Sequence, residues 1–177
     1  MTALGAPGGA GGSLRRLMAR WPTGVAVVTS RSADGDAGLT VNALLSVSLD
    51  PPLLLVSLTE AAETTPVIRS SGAFVASLLA ADQRPLSERF ALTASQAVKF
   101  AGVGVHRGPS GIARIDGALG AIDCRVRSMT PAGDHVLVLA DVVDVEIGRD
   151  APPLVFFHRG YATAGPAGTL TLPPPRE

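Results

Sequence analysis

Hydrophobic and polar positions follow two rhythms along the chain. Leu14, Leu17, Met18 and Trp21 recur at spacings of three and four, which predicts a short amphipathic helix capped by Ser13 and ended by Pro22. From Gly24 the rhythm becomes that of strands: the β-branched run GVAVVTSR, Asp-Gly turn chemistry in SADGDAG, and a return strand over LTVNALLSVSL. Asp50-Pro51-Pro52 forces a turn, and LLLVSL after it is a fully buried strand by its run of apolar residues. ETTPVIRSSG predicts a helix with Thr64 or Thr65 as cap and Pro66 at its first position. AFVASLLA predicts a strand, and ADQRPLSERFA a helix turned inward through Leu86, Phe90 and Leu92.

Between Thr93 and Asp116 the pattern weakens, and the glycines from Gly102 to Gly108 predict a long loop, a kind of segment that is often functional in compact domains. GALGAIDCRVRSM and HVLVLADVVDVEI predict two strands around the turn TPAGD, and PPLVFFHRGY a last short strand. Roughly six or seven strands joined by turns rather than crossover helices predict a mainly β fold, an antiparallel sheet curled into a barrel with short flanking helices. Residues 1–12 read as a flexible arm, 13–165 as the domain, and 166–177 as a disordered tail.

A length of 177 residues suits one domain, and 46% hydrophobic against 17% charged residues describes a globular chain. A formal net charge of zero gives no basic face for nucleic acid and no polybasic patch for a membrane surface. It fits a protein that buries surface in an oligomer. The lone cysteine, Cys124, allows no intrachain disulfide and reads as a small buried hydrophobe, which points to a reducing, cytoplasmic setting. No apolar run approaches the ~18–20 residues of a membrane span.

Several chemistries lack their residues. GVGVHRG lacks the third glycine of a dinucleotide fingerprint and lies in a loop, and there is no phosphate-binding lysine loop and no Gly-x-Ser-x-Gly elbow. His106, His135 and His158 have no partners at metal-ligand spacing, so no metal site is expected. Three features remain: hydroxyls and an amide scattered through Gly38–Ile68, Arg89 beside Phe90 in LSERFA, and His135 at the hairpin edge in AGDH. Each alone is consistent with solvated or cross-strand roles.

In order along one chain, WPTGVAVVTS, GLTVNALLSVSLDPPLLLVSL, TTPVIRSSGAFVASLLA, LSERFA, VKFAG, DGALGAIDCRV, GDHVLVLADVVDV and PLVFFHRGY resemble the successive blocks of the flavin reductase-like family, NAD(P)H:flavin oxidoreductases that serve two-component flavin monooxygenases. The resemblance implies a homodimer of six-stranded antiparallel FMN-binding split barrels, with FMN or FAD as flavin, NADH or NADPH as hydride donor, and a flavin-dependent monooxygenase as recipient of reduced flavin. It implies that Thr40, Val41, Asn42, Ala43 and Ser46 run along the flavin ring edge, and that Ser48 lies by the ribityl chain. Ser57, Leu58 and Thr59 would end a strand near the phosphate, which Thr64, Thr65 and Arg89 would bind, with Phe90 packed nearby. His135 would face the nicotinamide as the catalytic group, and Tyr161 would border the site. Ala43 stands where many members carry serine, and Ser77 where asparagine is common. The resemblance leaves open a flavin- or haem-binding barrel without turnover, or a flavoprotein like pyridoxamine-phosphate oxidase, although the basic cluster which that oxidase needs is missing.

Overall fold

The computed structural model describes residues 9–164 and 170–171. In chain order its elements are α1 (Ala10–Met18), β1 (Thr23–Gly24), β2 (Ala26–Ser32), β3 (Gly35–Val41), β4 (Leu44–Leu49), β5 (Pro52–Thr59) and α2 (Thr64–Ser71). There follow β6 (Ala73–Leu78), a 3-10 turn (Ala81–Gln83), α3 (Arg84–Phe90), α4 (Gln96–Phe100), β7 (Val105–Arg107), β8 (Ala113–Ile115), β9 (Gly120–Ala132), β10 (His135–Ile147), β11 (Leu154–Phe157), β12 (Gly160–Ala164) and β13 (Leu170–Thr171).

The mainly β expectation holds, but the principal sheet has seven antiparallel strands rather than six, in the order β3-β2-β6-β9-β10-β5-β4. Its two outermost strands, β3 and β4, are consecutive in the chain and joined by Asn42 and Ala43 alone. Two edges held two residues apart oblige the sheet to bend round until its ends meet. LTVNALLSVSL is therefore not one strand: it breaks at Asn42, where the backbone changes pairing partner from β2 to β5. Inside the bend lies a core of Val28, Val56, Leu58, Ile68, Phe74, Cys124, Val136 and Val138. Apart from Ile68, which α2 contributes, these are inward positions of their strands. Burial pushes the Cys124 thiol up to about 12, so it is the inert hydrophobe expected of it.

A second core lies between the sheet and α3, built from Val25, Val27, Leu79, Phe90, Ile115 and Leu154. Phe90 meets Phe100 edge-on, with ring centroids 5.0 Å apart. Gly38 makes this possible, since a Cβ there would stand 2.8 Å from the Phe90 ring.

Other boundaries also differ from expectation. Ala10–Gly12, expected in the flexible arm, form the first turn of α1, with extended Gly9 at the cap position instead of Ser13. α2 starts at Thr64 after Glu63, which puts Pro66 at its third position rather than its first. PPLVFFHRGY is a hairpin of two strands, β11 and β12, rather than one. Residues 1–8, 166–169 and 172–177, the rest of the expected arm and tail, lie outside the described residues, while Leu170 and Thr171 pair with β12.

The largest departure is Thr93–Asp116. It holds α4 and the β7–β8 hairpin, which lies against the outer side of β9 and β10. Arg114 anchors it: its Nε and Nη2 donate to Asp123 (2.9 and 2.5 Å), Nη2 also to Asp144 (2.5 Å), and Nη1 to Glu146 (2.6 Å). Ser110 donates to Asp123 from the same hairpin, and Arg107 joins it to Asp36 of β3 at 2.6 Å. His106 sits between Glu146 (2.9 Å) and Asp116 (2.7 Å). Hydrogen bonds to Glu146 and then Asp116 raise its pKa above the ordinary histidine value, against a smaller desolvation.

The sign of the pH dependence follows from that raised pKa. The stabilisation is complete below the unfolded pKa of about 6.5 and is lost as pH rises through the higher folded value. Glu146, held low by His106 and Arg114, stays ionised throughout that window. The stability difference between the wild type and His106→Gln, measured by urea unfolding, should therefore shrink steadily as pH is raised above about 6.5. A difference independent of pH would contradict this role.

Candidate ligand cleft beneath the first helix

β5 and β10 pair in a register that sets His135 opposite Thr59 and Leu137 opposite Ser57. Leu58 and Val136, the intervening residues, point into the core. Ser57, Thr59 and His135 therefore share the outer face of the sheet. Above this face lies a cleft of about 1400 Å³. Its walls include Leu14, Arg15, Met18 and Trp21 of the α1 segment, Thr23, Asn42, Ser57, Asp134, His135, Phe156 and Arg159. Asn42 also borders an adjoining hollow of about 350 Å³ with Trp21, Leu44, Leu78 and Leu154.

The polar groups of the cleft are held from behind. Asn42 Nδ2 donates to Thr23 Oγ1 (3.2 Å), and the Ser57 N–H donates to the Ala43 carbonyl (3.0 Å), which fixes the β3–β4 junction against β5. His135 Nδ1 lies 2.7 Å from an Asp134 carboxylate oxygen. An ionised carboxylate only accepts, so the proton belongs on Nδ1, and Nε2 faces the Thr59 hydroxyl at 3.4 Å. The same bond holds the Asp134 carboxyl below its usual range. Beyond Thr59 the path reaches α2, where Thr65 Oγ1 donates to the Thr59 carbonyl at 2.8 Å. Thr64 Oγ1, in the first turn of α2, is buried with no partner among the described residues.

Of the residues singled out in the sequence, Asn42, Ser57 and His135 line the cleft directly. Ala43, Thr59 and Thr65 adjoin it through the bonds above. Val41 and Leu58 are buried in the first core, so only their backbone can meet a ligand. Ser46 is exposed and Ser48 half-buried on edge strand β4, outside the cleft lining.

Thr64 is buried at the start of α2, and the remaining four lie in the second layer. Thr40 Oγ1 donates to the Ser87 carbonyl (2.6 Å), and Ser87 Oγ meets the Tyr161 hydroxyl (2.8 Å). Phe90 is core, and Arg89 donates to the Ala101 carbonyl (2.6 Å) just beyond α4, where a short helix leaves its last carbonyls without backbone donors. Sequence reasoning passed over Trp21, Met18, Thr23, Phe156 and Arg15 as site residues. The Trp21 stripe was legible as amphipathic, yet α1 buries none of its residues: Leu14, Leu17 and Met18 stay exposed, as does Trp21 just beyond.

The cleft pairs flat apolar faces with hydrogen-bonding edges, the surface that a planar heterocycle requires. Its volume exceeds the roughly 300–1,000 Å³ of a single-ligand pocket. Among the described residues no cluster of three metal-ligating side chains occurs, and no helix is long and apolar enough to cross a membrane.

Residues 18–165 match the family described as flavin reductase like domain. The chain is 38% identical, over 84% of its length and 93% of the relative's, to the reductase component of 4-hydroxyphenylacetate 3-monooxygenase from Thermus thermophilus. It is 34% identical, over 84% of its length and 90% of the relative's, to the FMN reductase (NADH) RutF of Cronobacter sakazakii. Among solved structures it resembles the NADH:FAD oxidoreductase SgcE6 of Streptomyces globisporus in complex with NAD and FAD fragments. That likeness has a TM-score of 0.84 and 28% identity, covering 95% of this chain and all of that one.

Proposed function

The chain belongs to the flavin reductase like family, and from that premise we propose both that it is an NAD(P)H:flavin oxidoreductase, with NADH the donor named in its relatives, and how its own residues carry the activity. The bound molecules supply the chemistry, a hydride passed from nicotinamide to flavin. What remains for the protein is to stack two rings, orient them and keep water away.

The observation that carries the reading is the single cleft that gathers Asn42, Ser57 and His135 with room for both rings. The Asn42 amide and the β3–β4 backbone take the polar edge of the flavin, and Ser57 its side chain. The Thr59–Thr65 corner and the start of α2, with its unpartnered Thr64 hydroxyl, take the phosphate; the helix dipole favours an anion there. His135, fixed by Asp134, is the catalytic group that meets the nicotinamide side. Reduced flavin then leaves for a separate monooxygenase, the division of labour named in the Thermus thermophilus relative.

Both FMN and FAD fit this scheme, as the names of the relatives divide between them. We read the bent sheet as the family's split barrel, and the chain as one half of a homodimer working in the cytoplasm. The support for two copies is apolar exposure on two strands of the sheet: Leu49 of β4 is 87% exposed and Ile147 of β10 86%, with Leu45 and Val47 on β4 and Val143 and Val145 on β10 exposed to a lesser degree. The test is anaerobic and aerobic oxidation of NADH with and without added FMN or FAD. Flavin-dependent loss of nicotinamide absorbance is expected. Its absence sinks the reductase reading in favour of a flavin- or haem-binding module without turnover.

A further inference from the structure

Arg159 occupies the turn between β11 and β12, and this turn is unusual. His158 and Arg159 have φ of 50° and 61°, the left-handed region, in a two-residue hairpin turn. Asn-Gly is the usual choice there because side chains with a branched or bulky body are strained. Of these two strained residues Arg159 lines the ligand cleft, which suggests a side chain retained there for use rather than for folding. The His158 N–H donates to the Ala19 carbonyl at 2.7 Å, and the Ala19 N–H to the Arg15 carbonyl at 3.1 Å. Arg159 is thereby brought to within about one helical turn of Arg15, and both line the cleft.

Most arginines of the chain are engaged. Arg31, Arg69, Arg84, Arg107, Arg114, Arg127 and Arg149 hold carboxylates, and Arg89 holds a carbonyl. Neither Arg15 nor Arg159 has a carboxylate partner among the described residues, and the one acid of the cleft, Asp134, is taken by His135. Two neighbouring cations without a counter-charge repel each other, and a doubly charged anion between them removes that cost.

We propose that Arg159, assisted by Arg15, receives the diphosphate of the nicotinamide dinucleotide and makes this chain select a dinucleotide donor. This rests on the reductase reading above. The sheet wall, from Asn42 past Ser57 to α2, is assigned there to the flavin and its phosphate. The opposite wall, made by α1 and the β11–β12 turn, is left for the second molecule, and the volume of the cleft accommodates it. Arginine suits the task because its planar fork grips two phosphate oxygens at once.

The experiment compares NADH with 1-benzyl-1,4-dihydronicotinamide, a hydride donor without phosphates, on wild-type, R159Q, R159K and R15Q proteins. The ratio of kcat/KM for NADH to that for the phosphate-free donor should fall about tenfold in R159Q, less in R15Q, and recover in part in R159K. Binding provides a second readout: NAD+ titrated against Trp21, the only tryptophan and a cleft residue, should bind R159Q about tenfold more weakly and with a smaller salt dependence. R15Q lies on an exposed helix face and serves if R159Q folds poorly. An active wild type whose donor ratio and NAD+ affinity are unmoved by R159Q and R15Q overturns the arginine assignment alone. So does a loss confined to FMN or FAD affinity. Wild-type protein inert toward both donors sinks the reductase reading itself, and this inference with it.

Discussion

Replacing Arg114 with methionine should cost the fold about 3–5 kcal/mol, the scale of removing one partner of a buried ion pair. Arg114 is 4% exposed and Asp123 fully buried, and the two share a bidentate contact. Removing the guanidinium strands an ionised carboxylate in a dry place, with only the Ser110 hydroxyl left to it. The contacts to Asp144 and Glu146 add less, because both carboxylates are partly in water. For a chain of this size the loss corresponds to a fall in Tm of roughly 6–20 °C. The double variant R114M/D123L removes donor and acceptor together and should recover most of the loss, since a buried ion pair is commonly no better than apolar side chains of similar volume. Urea unfolding of both variants checks this. If R114M alone stays within about 1 kcal/mol of wild type, the hairpin is not anchored as described.

The largest effect on activity is expected from His135→Ala. kcat/KM for NADH should drop about 10–100-fold, the scale of losing a group that holds reacting partners in register. FMN affinity, read by the quenching of Trp21, should stay near the wild-type value, because the flavin contacts proposed above lie with Asn42, Ser57 and the start of α2. The reasoning is geometric: Asp134 fixes the ring through Nδ1 and leaves Nε2 against nothing stronger than the 3.4 Å contact with Thr59. Steady-state kinetics with NADH varied at saturating FMN make the measurement. Unaltered kinetics in H135A would assign the ring to hairpin structure instead.

Legibility in the sequence tracked how far each feature depends on local pattern. The β9–β10 hairpin and strands β2, β5 and β6 follow from alternation or β-branched runs, so residues and structure agree there. The break at Asn42 has no local cause: leucines and valines continue on both sides, and only the bent sheet obliges β3 and β4 to part company. The segment after Thr93 read as a loop because β7 and β8 are three residues each and rich in charge. They are strands through Arg114, Arg107 and His106 meeting acids at distant positions, which no window of sequence contains.

The candidate site shows the same division. Asn42, Ser57 and His135 stood out as polar residues in apolar strands, and the fold brings them to one cleft. Thr40 and Tyr161 belonged to the same blocks, but one strand presents alternate residues to opposite faces and theirs turn to the second layer, while Phe90 is buried there on the inward side of α3. Arg159 was hidden because its distinguishing property is a backbone angle.

The first helix buries none of its side chains, and one of its ties to the rest of the fold is the single backbone bond from His158 to Ala19. Lifting it away therefore exposes no core and breaks no strand pairing. For a catalyst whose product must depart intact to another protein, this means that the exit need not wait on any unfolding. The cover over the cleft can move without disturbing the sheet that forms its floor.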